Sequence, residues 1–178
     1  MMAAETDWIC KIDTRYEGAV PGGNFRRREW NRLKKAEFEE LGLYWHREIR
    51  PVHFTAAGAR EYSYTPRAGE SGNARRDFWR SYTGRKQKDR GHRRPLVHSG
   101  EALQLSATAR IVATSGGVKV RYPQLRKLNL RNPNSKIDMR AEFTAISRGD
   151  SDRLLRLFDK RMDRHLRRLR SSQRRRTR

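Results

Sequence analysis

Apolar residues recur along this chain with two different periods, and the alternation between them divides it into elements. From Phe25 to Ile49, the residues Trp30, Leu33, Phe38, Leu41, Trp45 and Ile49 follow helical spacings, which gather side chains on one face of a helix. Gly42 weakens the stripe and Pro51 closes it, so a long amphipathic helix is expected over 25–49. A second stripe, Leu154, Leu155, Phe158, Met162, Leu166 and Leu169, starts from Asp150 or Ser151. It carries acids in its first turn and arginines in its last, the polarity that a helix dipole favours. Between these stripes the period falls to two. ARIVATS and VKVRYP, joined at Gly116-Gly117, predict a β-hairpin with a two-residue Gly-Gly link, and MRAEFTAIS predicts a further strand.

The remaining segments read as shorter pieces. Thr55 is placed to cap a short helix over AAGARE, and NARRDFWRSYTGRK predicts another, with the loop SYTPRAGESGN between them. Ser99 is placed to cap a helix over GEALQLSA, and residues 124–136, with Asn132-Pro133-Asn134, form a basic loop. At the N-terminus, Trp8, Ile9 and Ile12 are expected to anchor an arm to the domain or to a neighbouring subunit before the loop Val20-Pro21-Gly22-Gly23-Asn24. The tail RSSQRRRTR has no apolar residue to bury and is expected to be disordered unless bound. The organisation is therefore an N-terminal arm (1–24), a single α+β domain (25–169) with a loop-rich basic insertion at about 52–94, and an Arg-rich tail (170–178). Its fold class is a small antiparallel or mixed β-sheet with a central hairpin, packed against two long amphipathic helices, with extended basic loops.

Composition sharpens this picture through charge. Only 35% of residues are hydrophobic and another 35% are charged, so the core is modest, and the formal net charge is +22. Self-repulsion of that size opposes compaction and is relieved by a polyanion or an acidic protein surface. The candidate contacts are Arg26, Arg27, Arg28, Arg75, Arg76, Arg93, Arg94, Arg174, Arg175 and Arg176, with the aromatic residues from His53 to Tyr82 available to stack on single-stranded bases. No RRM, KH, zinc-finger or helix-turn-helix signature accompanies them, so any nucleic-acid contact is expected to be independent of sequence. The single cysteine, Cys10, excludes an internal disulfide and a thiolate metal cage and fits a reducing compartment. The first residues lack a signal-peptide core, and no run approaches the roughly 18 apolar residues of a membrane helix. A soluble intracellular product without a membrane partner is expected.

The stretch GHRRPLVHSGEAL, residues 91–103, concentrates the residues that suggest chemistry. His98 and Ser99 are adjacent, so neither a strand nor a helix aims them at one reacting atom, and no Gly-x-Ser-x-Gly turn surrounds the serine. His46, His53, His92, His98 and His165 contain no i, i+4 pair, the spacing that places two metal ligands on one helical face. The carboxylate pairs Glu39-Glu40, Asp150/Asp152 and Asp159/Asp163 lie on predicted helices, the last two acids beside Arg or Lys as ion pairs require. Gly116-Gly117 lacks the Lys-Ser/Thr of a phosphate loop. No catalytic, metal or cofactor residue is assigned and no enzyme is expected; a metal-dependent nuclease would draw on acids such as Asp138 and Glu142. The stretch reads instead as a structural joint. Arg93 and Arg94 stay wet or meet an anion, Pro95, Leu96 and Val97 lead into the core, and Ser99 and Gly100 turn the chain into a helix.

The order of these features resembles the neck and tail-completion proteins of long-tailed bacteriophages, which join the DNA-filled head to the tail. In that group a Pro-Leu-Val/Ile-x-Ser/Thr-Gly-x-Leu pattern precedes the main hairpin. Pro95-Leu96-Val97-His98-Ser99-Gly100 follows it, with Leu103 one residue late. HFTAAGAREYSYTPR and the aromatic and basic residues through Lys88 are similar to segments of prophage-encoded virion proteins. The resemblance spans roughly residues 50–166 and departs at Tyr122, where Pro123 and a basic loop replace a Tyr-Ala…Glu-x-Gly stretch. It implies a structural virion protein, made in the host cytoplasm, forming a homo-oligomeric ring with portal, neck or tail proteins as partners, on either the head or the tail side. The residues alone also fit a basic nucleic-acid-associated protein of ribosomal or nucleoid type. Replacing Leu96 or Val97 with Asp is expected to abolish folding or assembly by burying an unpaired charge, whereas His98→Ala leaves both intact; circular dichroism and size-exclusion chromatography read the difference.

Overall fold

The hairpin forms where the alternation predicts it, and the N-terminal segment completes it as a third strand. The computed structural model describes residues 8–15, 27–67, 78–93, 96, 101–128 and 137–176. Strands β1 (Trp8–Asp13), β2 (Arg110–Ala113) and β3 (Gly117–Tyr122) make an antiparallel sheet in the order β1-β3-β2. Cys10, Ile12, Val118, Val120 and Tyr122 face the core, while Lys11, Asp13 and Lys119 alternate with them toward solvent. The expected Gly-Gly link is corrected: Thr114, Ser115 and Gly116 make the turn, and Gly117 already belongs to β3, opposite Asp13. The Thr114 backbone N–H donates to the Gly117 carbonyl (2.8 Å), so the turn closes one residue earlier than the glycine pair suggests. Gly117 serves close approach instead, since a Cβ there would lie 2.2 Å from Asp13 Oδ1.

One face of the sheet is covered by helix α1 (Arg27–Tyr44), whose buried Phe38 and Leu41 are continued beyond its end by buried Trp45 and Ile49 at the predicted spacing. Helical backbone does not stop at Pro51. It loosens into a π turn over Trp45–Ile49 and tightens into a 3-10 turn over Arg50–Phe54, where proline occupies a starting position that needs no N–H donor. Gly42 is where helix and hairpin touch most closely, because a Cβ there would sit 2.9 Å from methyl carbons of both Ile111 and Val118. The residue that weakens the stripe in sequence is thus the one that seats the helix. Helix α2 (Ala56–Glu61) is capped as expected by Thr55, whose Oγ1 accepts from the Gly58 N–H at 3.0 Å. Helix α3 (Tyr82–Arg90) starts later than NARRDFWRSYTGRK suggests. Ser81 caps it, a 3-10 turn over Phe78–Arg80 precedes it, and Gly91 ends it at φ 71°. Helix α4 (Glu101–Leu105) leads into β2, and its expected cap, Ser99, lies outside the described residues.

The strand expected over MRAEFTAIS is corrected to helix α5 (Met139–Thr144). Asp138 caps it through Ala141 N–H at 3.0 Å, and the consecutive residues Glu142 and Phe143 are both buried. A strand with one solvated face cannot bury two neighbours, whereas a helix can. Helix α6 (Arg148–Arg176) begins earlier than expected because Ser147 and Asp150 cap each other: the Asp150 N–H donates to Ser147 Oγ (3.0 Å), and the Ser147 hydroxyl donates to Asp150 Oδ2 (2.9 Å). Its backbone stays helical through Arg176, into the segment whose composition suggested disorder, since each added residue of a helix already nucleated gains one hydrogen bond. Leu154, Phe158, Met162 and Leu166 are buried, and the rings of Phe158 and Phe38 are 4.8 Å apart. Among the described residues no helix is long and apolar enough to cross a membrane. Gly42→Val is expected to lower unfolding free energy by about 2–3 kcal/mol, the cost of overpacking a tight contact; urea denaturation followed by far-UV circular dichroism reads the loss.

Candidate polyanion interface

The described residues include only part of the arginines that sequence proximity grouped. Arg27 and Arg28 lie exposed in the first turn of α1. The Arg93 guanidinium sits 4.5 Å from the centroid of the Phe78 ring, a cation–π contact within the chain. Arg174, Arg175 and Arg176 lie on the last turn of the α6 backbone, while Arg26, Arg75, Arg76 and Arg94 lie outside the described residues. Of the joint, Leu96 is buried and takes a left-handed φ of 52°, and Pro95, Val97, Ser99 and Gly100 lie outside the described residues.

What adjacency missed, helical periodicity supplies. Arg153, Arg156, Lys160, Arg164 and Arg167 are all exposed and fall three or four residues apart on α6, opposite its buried stripe. At a rise of about 1.5 Å per residue they form a cationic line roughly 21 Å long. None of the five ion-pairs with a described acid. The cations turned toward α1 behave differently. Arg161 Nε donates to Glu37 (2.5 Å) and its terminal nitrogen reaches Glu40 (3.2 Å), while His165 Nε2 meets the other oxygen of Glu37 at 2.7 Å. The signal was present in the sequence, in the same 3.6-residue period that identified the apolar stripe.

Several polar groups that suggested chemistry are absorbed by the interior. Arg67 makes a two-pronged ion pair with Glu142 on α5 (2.8 and 2.5 Å), and the Thr65 N–H donates to the same carboxylate at 3.0 Å. Asp138 is a helix cap. Neither acid converges with a second ligand, and among the described residues no group of three or more His, Cys, Asp or Glu is placed to hold a metal ion. His53 is fully buried, stacked on the Tyr62 ring at 3.8 Å with Nδ1 2.5 Å from the Tyr64 hydroxyl. Tyr62 continues the chain by donating to Asp150 Oδ2 at 2.7 Å. His53 Nε2 makes no hydrogen bond of ordinary geometry, although the Glu142 carbonyl faces the ring. Burial pulls the His53 pKa down to about 4, against the opposing pull of the Asp150 charge. Burial likewise raises the Tyr62, Tyr64 and Tyr122 phenols and the Cys10 thiol, which is therefore a packing residue and not a nucleophile.

The same burial prunes the set of aromatic residues expected to stack on bases. His53, Phe54 and Tyr64 belong to the core, and Tyr62 packs against it. Only Trp79, 60% exposed, and Tyr82, 39% exposed, are large apolar groups offered to solvent among the described residues. The same short segment carries the exposed cations Arg80, Arg85, Lys88 and Arg90, and Lys86 Nζ lies 5.7 Å from the centroid of the Tyr82 ring.

Comparison of the chain with protein-family models, with curated proteins and with solved structures returns no match. The buried histidine generates a pH dependence. Between its ordinary pKa of 6.5 and its folded value of about 4, the unfolded chain binds a proton that the folded chain refuses. Its stabilising contribution is complete above pH 6.5 and is lost as pH falls toward 4. At pH 5 the loss is about 2 kcal/mol relative to neutral pH. Urea titrations at pH 7 and pH 5 read it, and in His53→Gln the difference between the two curves shrinks by that amount.

Proposed function

We propose that this chain is a structural protein of a tailed-phage virion, a neck or tail-completion component that assembles as a ring joining portal or head to tail. The observation that carries the proposal is the sheet order β1-β3-β2, which leaves the outer edges of β1 and β2 without a neighbouring strand among the described residues. Unpaired edges seek a partner, and pairing β2 of one copy with β1 of the next is a head-to-tail contact. Repetition of such a contact around an axis closes a ring. The element order lends support: a long charged helix, a basic segment with short helices, a short helix after Leu96, the hairpin, and a long C-terminal helix. Copies carrying +22 each repel one another, so the ring needs an anionic neighbour, which an acidic portal surface or packaged DNA supplies.

A second reading, a basic nucleic-acid-associated protein of ribosomal or nucleoid type, draws on Trp79 and Tyr82, exposed among cations as stacking platforms for bases are. Native mass spectrometry of the purified protein, together with proteomics of purified particles, separates the two. The virion reading expects a closed oligomer of fixed stoichiometry and recovery of the chain in particles. A chain that stays monomeric at high concentration, is absent from particles and co-purifies with ribosomes would sink it.

A further inference from the structure

Strand register places like charges directly against each other on the outward face of the sheet. Lys11 of β1 pairs with Lys119 of β3, and Arg121 of β3 pairs with Arg110 of β2. Residues that face each other in register share one side of the sheet, with Cβ atoms about 4.5–5.5 Å apart. Lys119 and Arg121 are two apart on one strand, so all four side chains lie on the same face. Like charges in that position are destabilising, and the face holds two such pairs where one substitution in either would remove the repulsion.

Among the described residues no acid forms an ion pair with the cluster. Asp13 is the acid in these rows, and it lies over Gly117 at the end of the face, in no ion pair with Lys11 or Lys119. Ile9 and Val112 complete the rows. Arg121 Nε is buried and makes no hydrogen bond to a described residue. With that donor unpaired among the described residues, Arg121 adds its charge to a face on which Lys11, Lys119 and Arg110 are exposed, and such a face favours an anion.

We propose that the outward face of the sheet binds the phosphate backbone of double-stranded DNA without regard to sequence. Apart from Asp13 at its end, the face carries charge of one sign, whereas a protein partner is ordinarily met by an apolar or aromatic anchor at the centre of the contact, and this face holds only Ile9 and Val112. It carries no aromatic ring between the cations on which an unpaired base could stack, which disfavours single strands. Duplex DNA presents a negative charge for about every 1.7 Å of its axis, a density that can engage all four cations at once. The site is independent of the virion reading, since it rests on register and charge alone.

Fluorescence anisotropy with a labelled random-sequence duplex, titrated at several NaCl concentrations, tests the proposal. The double variant Lys11→Gln/Lys119→Gln is expected to bind at least about tenfold more weakly at low salt and to lower the log–log salt slope by about 2, one contact for each lysine. Lys119→Glu turns a repulsive pair into an attractive one. It is expected to weaken DNA binding while its melting temperature stays level or rises, which separates lost binding from lost folding. Arg156→Gln/Arg164→Gln on α6 is the comparison. The proposal fails if the sheet variants bind duplex as the parent does while the α6 variant carries the whole loss. It fails equally if the face selects single-stranded DNA or polyglutamate over duplex.

Discussion

Phe143 is the point through which the separate parts of this fold are held in one arrangement. Its ring meets Tyr122 and Trp45 edge-on, at 5.1 and 6.0 Å, and lies 5.9 Å from His53 and 5.7 Å from Phe54. Those contacts join α5 to the last residue of β3, to the π turn that continues α1, and to the 3-10 turn after it. Edge-to-face aromatic packing is directional, so the junction sets angles as well as burying area. The residue before it, Glu142, grips Arg67 and the Thr65 backbone, which draws the start of the basic insertion onto the same helix. From His53 the linkage runs through Tyr62 to Asp150 and the first turn of α6. The seating of both long helices therefore depends on one short helix of mixed character.

That dependence explains which features could be read in advance. The two apolar stripes were legible because burial against anything at all imposes a 3.6-residue period, and Phe38, Trp45, Phe158 and Met162 occupy the positions it dictates. Helix α5 was not. Met139, Ala141, Phe143 and Ala145 alternate as a strand would, and the choice was made by the Asp138 cap and by an ion pair with a residue 75 positions away. In WICKID the alternation of Trp8, Cys10 and Ile12 is present, but it is short, and its partner strand is more than a hundred residues distant. The glycine pair was misplaced by one residue because the reason for Gly117 is a side chain on β1, which no local reading contains.

The candidate surfaces follow the same division. Runs of adjacent arginines attracted notice as sequence, yet adjacency scatters side chains around a helix, and the cations that line up on α6 are separated by residues facing the core or its flanks. That line was recoverable from spacing. The opposition of Lys11 to Lys119 and of Arg110 to Arg121 was not, since pairing partners become known only with the strand register.

Acids and bases are also distributed unequally in depth. Glu37, Glu142 and Asp150 are buried and engaged by Arg161, Arg67 and Tyr62, so part of the chain's small stock of carboxylates is spent on internal bonds. The exterior is correspondingly richer in positive charge, and it is made of arginine and lysine, whose charge does not change between about pH 5 and 9. The histidine held deepest in the core, His53, titrates out of reach of any partner. The charge on those arginines and lysines does not respond to acidification within that range. Counterions screen that charge, so any attraction it exerts on a polyanion weakens as salt is added.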